Sequence, residues 1–194
     1  LGLADASAPC RVPLAPPPGA SVVVAVDRRP ACRVARAAGG VRIQDVEAPP
    51  GLVARVLSRL GVGGGAAAKA QARVPGELGL AVEAALAVSV AAAADRALGL
   101  SLGREGIAAV AAEEAGALLA AAVTAALCGG VVGATARGAG PLPVDPARVE
   151  ECLLLVDAGS PVAELGVEGA SERVQDALLT GRFEAVGAIW REEW

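Results

Sequence analysis

Between Arg73 and Val88 the chain passes from a turn-forming Pro75-Gly76 pair through Gly79 into an apolar run, Leu80-Ala81-Val82-Glu83-Ala84-Ala85-Leu86-Ala87-Val88. A glycine-containing loop that opens a helix presents unpaired backbone N–H groups at the positive end of the helix dipole, and that combination attracts phosphate in any fold. The same lettering also writes an ordinary strand-to-helix turn. The helix constrains the rest of the molecule through the size of its side chains. With one Phe, no Tyr, no Met and two Trp, alanine, valine and leucine must fill nearly all of the core, so helices have to approach closely and make many weak contacts.

The 194 residues, 54% of them apolar, suffice for one sizeable domain or one and a half. Seventeen basic and 21 acidic residues leave a formal charge of −4, and the densest basic group (Arg28, Arg29, Arg33, Arg36 and Arg42) has no aromatic neighbour to stack on bases. These arginines read as the exposed face of strands, and no nucleic-acid partner is expected. Cys10, Cys32, Cys128 and Cys152 lack C-x-x-C spacing and the chain has no histidine, so reduced, mostly buried thiols are expected and no metal site is assigned. Without histidine, every Ser-His, Cys-His and His-metal mechanism is excluded. Chemistry is left to carboxylates, hydroxyls, Arg, the single Lys69 and backbone dipoles.

Residues 1–18 lack the basic start and apolar centre of a secretory signal, which makes a cytoplasmic location the default. Residues 115–136 are uncharged and long enough to span a bilayer, but they are mostly Ala and Gly and are broken by Gly129-Gly130. A buried helix followed by a strand is the expectation there, with no membrane partner.

Residues 21–27 and 32–37 read as strands, and Val41-Arg42-Ile43-Gln44 as the end of that strand region after a Gly39-Gly40 turn. Leu52, Val53, Val56, Leu57 and Leu60 fall at helical spacing. Residues 61–69 resemble a Walker loop in their glycines only, since the spacing to Lys69 is wrong and no Ser or Thr follows it, and they read as a flexible connection. Lys69 then begins a strand, and a helix follows the Pro75 turn to about Leu98, stopping at Gly99. A second helix starts near Gly103 with Glu105, Glu113 and Glu114 on its wetter side. Residues 128–136 resume β character, residues 138–146 form a Gly/Pro-rich break, and Cys152-Leu153-Leu154-Leu155-Val156 reads as a buried strand. One final helix from about Ser171 carries Leu179, Phe183, Val186 and Trp190 along one face.

Several phrases, in their order along the chain, resemble the GHMP family of small-molecule kinases. Ala8-Pro9-Cys10-Arg11-Val12 resembles the family's A-P-G-R-[IV], and Val24-Ala25-Val26-Asp27-Arg28-Arg29 its following strand end. Val74-Pro75-Gly76-Glu77-Leu78-Gly79-Leu80 sits where P-x-G-x-G-L-G-S-S is expected. Leu153-Leu154-Leu155-Val156-Asp157-Ala158-Gly159 is similar to L-L-[LV]-V-x-T-G, and residues 178–187 with Glu192-Glu193-Trp194 are similar to the family's late helix.

The resemblance implies an α+β protein. Residues 1–127 would form a domain of the ribosomal S5 domain 2-like type, and residues 128–194 the start of a ferredoxin-like C-terminal domain. It implies ATP-dependent phosphoryl transfer to a small-molecule alcohol (a sugar, polyol or isoprenoid precursor), with ATP and Mg as cofactors. Pro75, Gly76, Gly79, Leu80, Ala81 and Val82 would be the nucleotide-binding residues. The chain also departs from the family pattern. No Ser-Ser follows Gly79, Glu77 places negative charge where phosphate would sit, and the segment around Ala122, where the catalytic Asp is expected, carries no acid. No catalytic residue is therefore assigned, and the family's late glycine-rich motif is not met before Trp194, so a truncated or degenerate member is expected. Two alternatives follow. One is a non-catalytic scaffold acting as a homo- or heterodimer partner or a sensor. The other is a protein like beta-ribofuranosylaminobenzene 5'-phosphate synthase, whose opening Leu1-Gly2-Leu3-Ala4-Asp5-Ala6-Ser7 resembles.

Overall fold

The computed structural model describes residues 2–13, 22–46, 48–72, 81–115, 120–135, 138–150 and 169–192. Two four-stranded sheets organise them. The first contains β1 (Leu3–Ser7), β4 (Ala31–Arg36), β6 (Ala66–Gln71) and β5 (Arg42–Val46), in that spatial order. The second contains β2 (Cys10–Pro13), β3 (Val22–Val26), β7 (Val131–Thr135) and β8 (Gly138–Pro141), all antiparallel. This sheet draws strands from both sides of position 127.

β4 and β5 do not form the hairpin that Gly39-Gly40 suggests. β6 lies between them, antiparallel to β4 and parallel to β5. Adjacent parallel strands need a crossover, and α1 (Leu52–Arg59) supplies it, burying the expected Leu52, Val53, Val56 and Leu57. β6 consequently begins within the segment expected to be a flexible connection. Ala66, Ala68 and Ala70 alternate inward along a central strand, and a run of alanines carries too little β propensity to announce this in sequence. The expected Gly/Pro break at residues 138–146 likewise holds β8, whose pairing with β7 is a tertiary matter.

α2 (Val82–Leu98) packs against β4, β1 and β2 on one side and against α1, α3 (Gly103–Ala115) and α4 (Ala120–Cys128) on others. All of residues 84–91 are buried, so the helix is enclosed around its whole circumference. Ser89 is the buried polar member, and its hydroxyl lies 2.8 Å from the Ala85 carbonyl and 3.3 Å from that of Pro30. The helix stops where expected. Gly99 takes φ 69°, a left-handed conformation that glycine adopts without steric cost, and its N–H donates to the Asp95 carbonyl at 2.9 Å. Arg36 reinforces this end by donating to the carbonyls of Ala97 (3.5 Å) and Leu98 (2.8 Å), where the helix dipole favours a cation.

Residues 120–135 bear out the buried helix followed by a strand. Among the described residues, no helix is long and apolar enough to cross a membrane. The single final helix is instead two, α6 (Ala170–Leu179) and α7 (Phe183–Glu192), after the short α5 (Pro146–Glu150). Gly181 at φ 73° turns the chain between them and leaves Leu179 52% exposed. The expected strand at residues 152–156 lies outside the described residues. α6 approaches the second sheet at Gly133, where a Cβ would meet Leu142 Cδ2 at 3.0 Å and Gln175 at 3.3 Å.

The basic cluster keeps to the surface. Arg33 holds Asp5 through two hydrogen bonds of 2.7 and 3.0 Å across β4 and β1, and these bonds keep the Asp5 carboxyl below its usual range. Glu114 departs from expectation. Its side chain is 3% exposed and accepts hydrogen bonds from Arg55 and Arg59 of α1, the latter at 2.9 Å, while Arg59 also reaches Glu113 at 2.7 Å. Burial pushes the Glu114 carboxyl up, but the hydrogen bonds and charges of the two arginines outweigh it, and the net direction is downward.

Two outcomes follow for stability. A carboxyl lowered in the folded state stabilises fully above its unfolded value, and that contribution disappears as pH falls through the folded value. Urea unfolding of Glu114→Gln should therefore show a lower midpoint than the parent at neutral pH and a converging midpoint in acid; a constant offset would contradict the clamp. Ala91→Leu should cost about 1–3 kcal/mol, because no side of α2 has room for three more carbons. The same unfolding assay checks it, and an unchanged midpoint would show slack around the helix.

Candidate functional site

Of the six residues expected at the nucleotide site, Pro75, Gly76, Gly79 and Leu80 lie outside the described residues, and Ala81 and Val82 form the entry of α2. Ala81 is the N-cap, with φ 47° and ψ 48°, and no side chain caps the helix. Its carbonyl accepts from the amides of Ala84 (3.1 Å) and Ala85 (3.4 Å), which starts the helical ladder one turn in. The amides of Val82 and Glu83 precede that ladder and find no acceptor within the helix. Val82 is buried, and Glu83 is the acidic residue of the first turn. This entry is one end of the most enclosed helix in the described structure.

A second feature comes from β2, which packs against both α2 and α4. Cys10 and Val12 turn into the main core, and burial pushes the Cys10 thiol up to about 11, so it is a packing group rather than a nucleophile. Arg11, between them, points to the opposite face and is only 9% exposed. Its Nε is buried without a hydrogen-bond partner, and it is the one such side-chain nitrogen or oxygen among the described residues. Burial lowers its pKa, yet a guanidinium keeps its charge in any protein setting. Sequence reading placed Arg11 inside an A-P-x-R phrase without marking its burial. Alternation with the apolar Cys10 and Val12 reads instead as a strand with Arg11 on its wet face, so the burial carried no local signal.

Register shows what faces Arg11. It pairs with Ala25 of β3, so the two side chains share a sheet face. Ala25 packs with Val23, Val132, Ala121 and Ala125, which places α4 over that face. Ala121, Ala122, Val123, Ala125 and Ala126 are the buried residues of α4, so the helix on which the catalytic acid was expected carries none. Among the described residues, no group of three or more Asp, Glu, Cys or His side chains is placed to hold a metal ion. Cys10 and Cys32 are buried and outside any disulfide, as expected, whereas Cys128 at the end of α4 is exposed.

The glycine run 61–65 borders a surface groove of about 550 Å³ together with Arg36 and Leu98. It opens at the C-terminal end of α2, where carbonyl dipoles repel phosphate, and Arg36 is engaged with two of those carbonyls. The Walker-like lettering of that run therefore has no matching electrostatics.

No protein-family model matches the sequence, and no curated protein matches it. Solved structures do share its fold, and they include small-molecule kinases and mevalonate diphosphate decarboxylases. A Campylobacter jejuni protein assigned as a sugar kinase superposes with a TM-score of 0.71 at 16% identity, over 99% of this chain and 74% of its own. The D-glycero-D-manno-heptose 1-phosphate kinase of Bacteroides thetaiotaomicron gives 0.68 at 16% identity, over 96% and 76%. The homoserine kinase of Cytophaga hutchinsonii gives 0.67 at 19% identity, over 97% and 71%. At these identities the likeness is one of fold, and the α+β architecture, with one mixed and one antiparallel sheet, agrees with it.

The left-handed Ala81 leads to a direct test. Ala81→Gly should stabilise by up to about 1 kcal/mol, since relief of the Cβ clash exceeds the added chain entropy, whereas Ala81→Val should destabilise. Melting temperatures of the two variants should move in opposite directions, and movement in the same direction would contradict the conformation at the helix entry.

Proposed function

We propose that this chain is a GHMP-type phosphoryl-transfer protein that holds the phosphates of ATP at the entry of α2, over residues 75–82, beside a small-molecule alcohol. The observation that carries this reading is Arg11, whose Nε is buried without a partner on a strand packed against α2. Amides at a helix entry and a buried, unpartnered guanidinium nitrogen each favour an anion. Structures of the same fold provide context, one of them solved with AMPPCP and magnesium.

Among the described residues, the helix entry suits phosphate and no cluster suits a metal. The amides at the α2 entry bind and orient the anion, and Arg11 compensates its charge. Magnesium bound with the nucleotide would supply charge neutralisation there. α4 offers no carboxylate to take the proton of the attacking alcohol. That absence favours a second reading, in which the scaffold binds its small-molecule ligands without turning them over, as a sensor or a dimer partner.

Calorimetric titration with Mg-ATP separates these ideas from a bare likeness of fold. Saturable binding is expected, weakened about tenfold or more in Arg11→Gln, the equivalent of one charged hydrogen bond. Absence of binding at millimolar nucleotide would end the nucleotide reading. Transfer of label from γ-labelled ATP to a panel of sugars and polyols would decide for catalysis over the sensor.

A further inference from the structure

The groove beside the glycine run lies at the far end of α2 from its entry, about 25 Å away at the helical rise. Its volume of about 550 Å³ is that of a site for a small molecule. The run that borders it is held at both ends. Gly61 and Gly65 each take φ 71°, and the Val62 amide donates to the Leu57 carbonyl at 2.9 Å. Gly65 donates to the Gly39 carbonyl at 2.6 Å and accepts from the Ala37 amide at 2.9 Å. Between these anchors, the Gly64 amide and the carbonyls of Val62, Gly63 and Gly64 take part in none of the described hydrogen bonds.

The fold does not need a glycine at position 63. Its φ is not positive, and a Cβ built there meets nothing within 4 Å, so neither backbone conformation nor packing demands the residue. Such a glycine costs chain entropy on folding, and what it supplies here is an open groove wall with its peptide groups uncovered. Val62 and Leu98 add apolar lining. Charge at the groove is balanced within the protein. The carbonyl end of the α2 dipole repels anions, and Arg36 repels cations while it donates Nε and Nη2 to the Ala97 and Leu98 carbonyls, which leaves other N–H groups of its guanidinium unengaged.

We propose that this groove binds an uncharged, hydroxyl-rich molecule of pentose or hexose size. A hydroxyl both donates and accepts, and the lining offers it carbonyls, an amide and guanidinium N–H groups. An ammonium would meet Arg36, and a carboxylate or phosphate would meet the end of the helix. The site is separate from residues 75–82 and does not rest on nucleotide binding there.

The test is a titration of the isotope-labelled full chain, read from its amide shifts, with D-ribose, D-glucose and glycerol as neutral probes and acetate and ethylammonium as charged ones. At least one neutral probe is expected to saturate with shifts at Gly63 and Gly64, and to bind about tenfold or more tightly than either charged probe. Gly63→Val, which fills the groove from a position with room for the side chain, is expected to melt no lower than the parent and to weaken that probe about tenfold or more. If the variant does not fold, the location of the shifts in the parent decides alone. No saturable shift at Gly63 and Gly64 with any neutral probe, equal affinity for a charged probe, or unchanged affinity in Gly63→Val would overturn the proposal. Saturable shifts confined to Val82 and Glu83 would also overturn it while leaving the reading of an alcohol beside the nucleotide; shifts at Gly63 and Gly64 in a chain that does not bind Mg-ATP do the reverse.

Discussion

The close approach that alanine permits around α2 is the constraint on which the rest of the fold depends. A helix buried on every side must offer small side chains on every side, or its neighbours cannot reach it at once. Residues 84–91 meet that requirement, and β1, β2 and β4 together with α1, α3 and α4 pack around them. The dispersion gained per contact is small, and the number of contacts compensates. It also explains why the chain can fold with one Phe and two Trp.

Enclosing α2 has an electrostatic consequence. The helix entry at Ala81 carries amides without intrahelical acceptors, while Arg11 of β2 is covered on the opposite sheet face, toward Ala25 and α4. Elsewhere the fold satisfies its buried charge. Glu114 is clamped by Arg55 and Arg59, and Ser89 has carbonyls within reach. Among the described residues Arg11 is the exception, and an exception of this kind is where a ligand is sought.

Much of the architecture was legible because it is written locally. The period of Leu52, Val53, Val56 and Leu57 marked α1, Gly99 marked the end of α2, and the valines of residues 21–27 marked β3. The errors fall where long-range pairing decides. Nothing local to Gly39-Gly40 says that β6 will insert between β4 and β5, and nothing in Gly138-Ala139-Gly140-Pro141 says that β7 lies alongside to receive it. Glu114 looked solvated because it follows Glu113 in an acid-bearing helix, whereas α1 brings two arginines over it. The helix entry of the candidate site was legible for the same local reason as Gly99, and the isolation of Arg11 was not, since it is a property of β3, α2 and α4 jointly.

The sequence by itself determined that this protein must be built from closely packed small side chains, that it has no histidine chemistry, and that a helix opens after residues 75–80. These follow from composition and from backbone rules that act over a few residues. Tertiary structure alone decided which strands pair, that Glu114 is covered and paired, and that Arg11 is covered and unpaired. A charge has the same letter in either case; whether it meets water, a counter-charge or neither depends on surfaces brought together from distant parts of the chain, and only the folded packing specifies those.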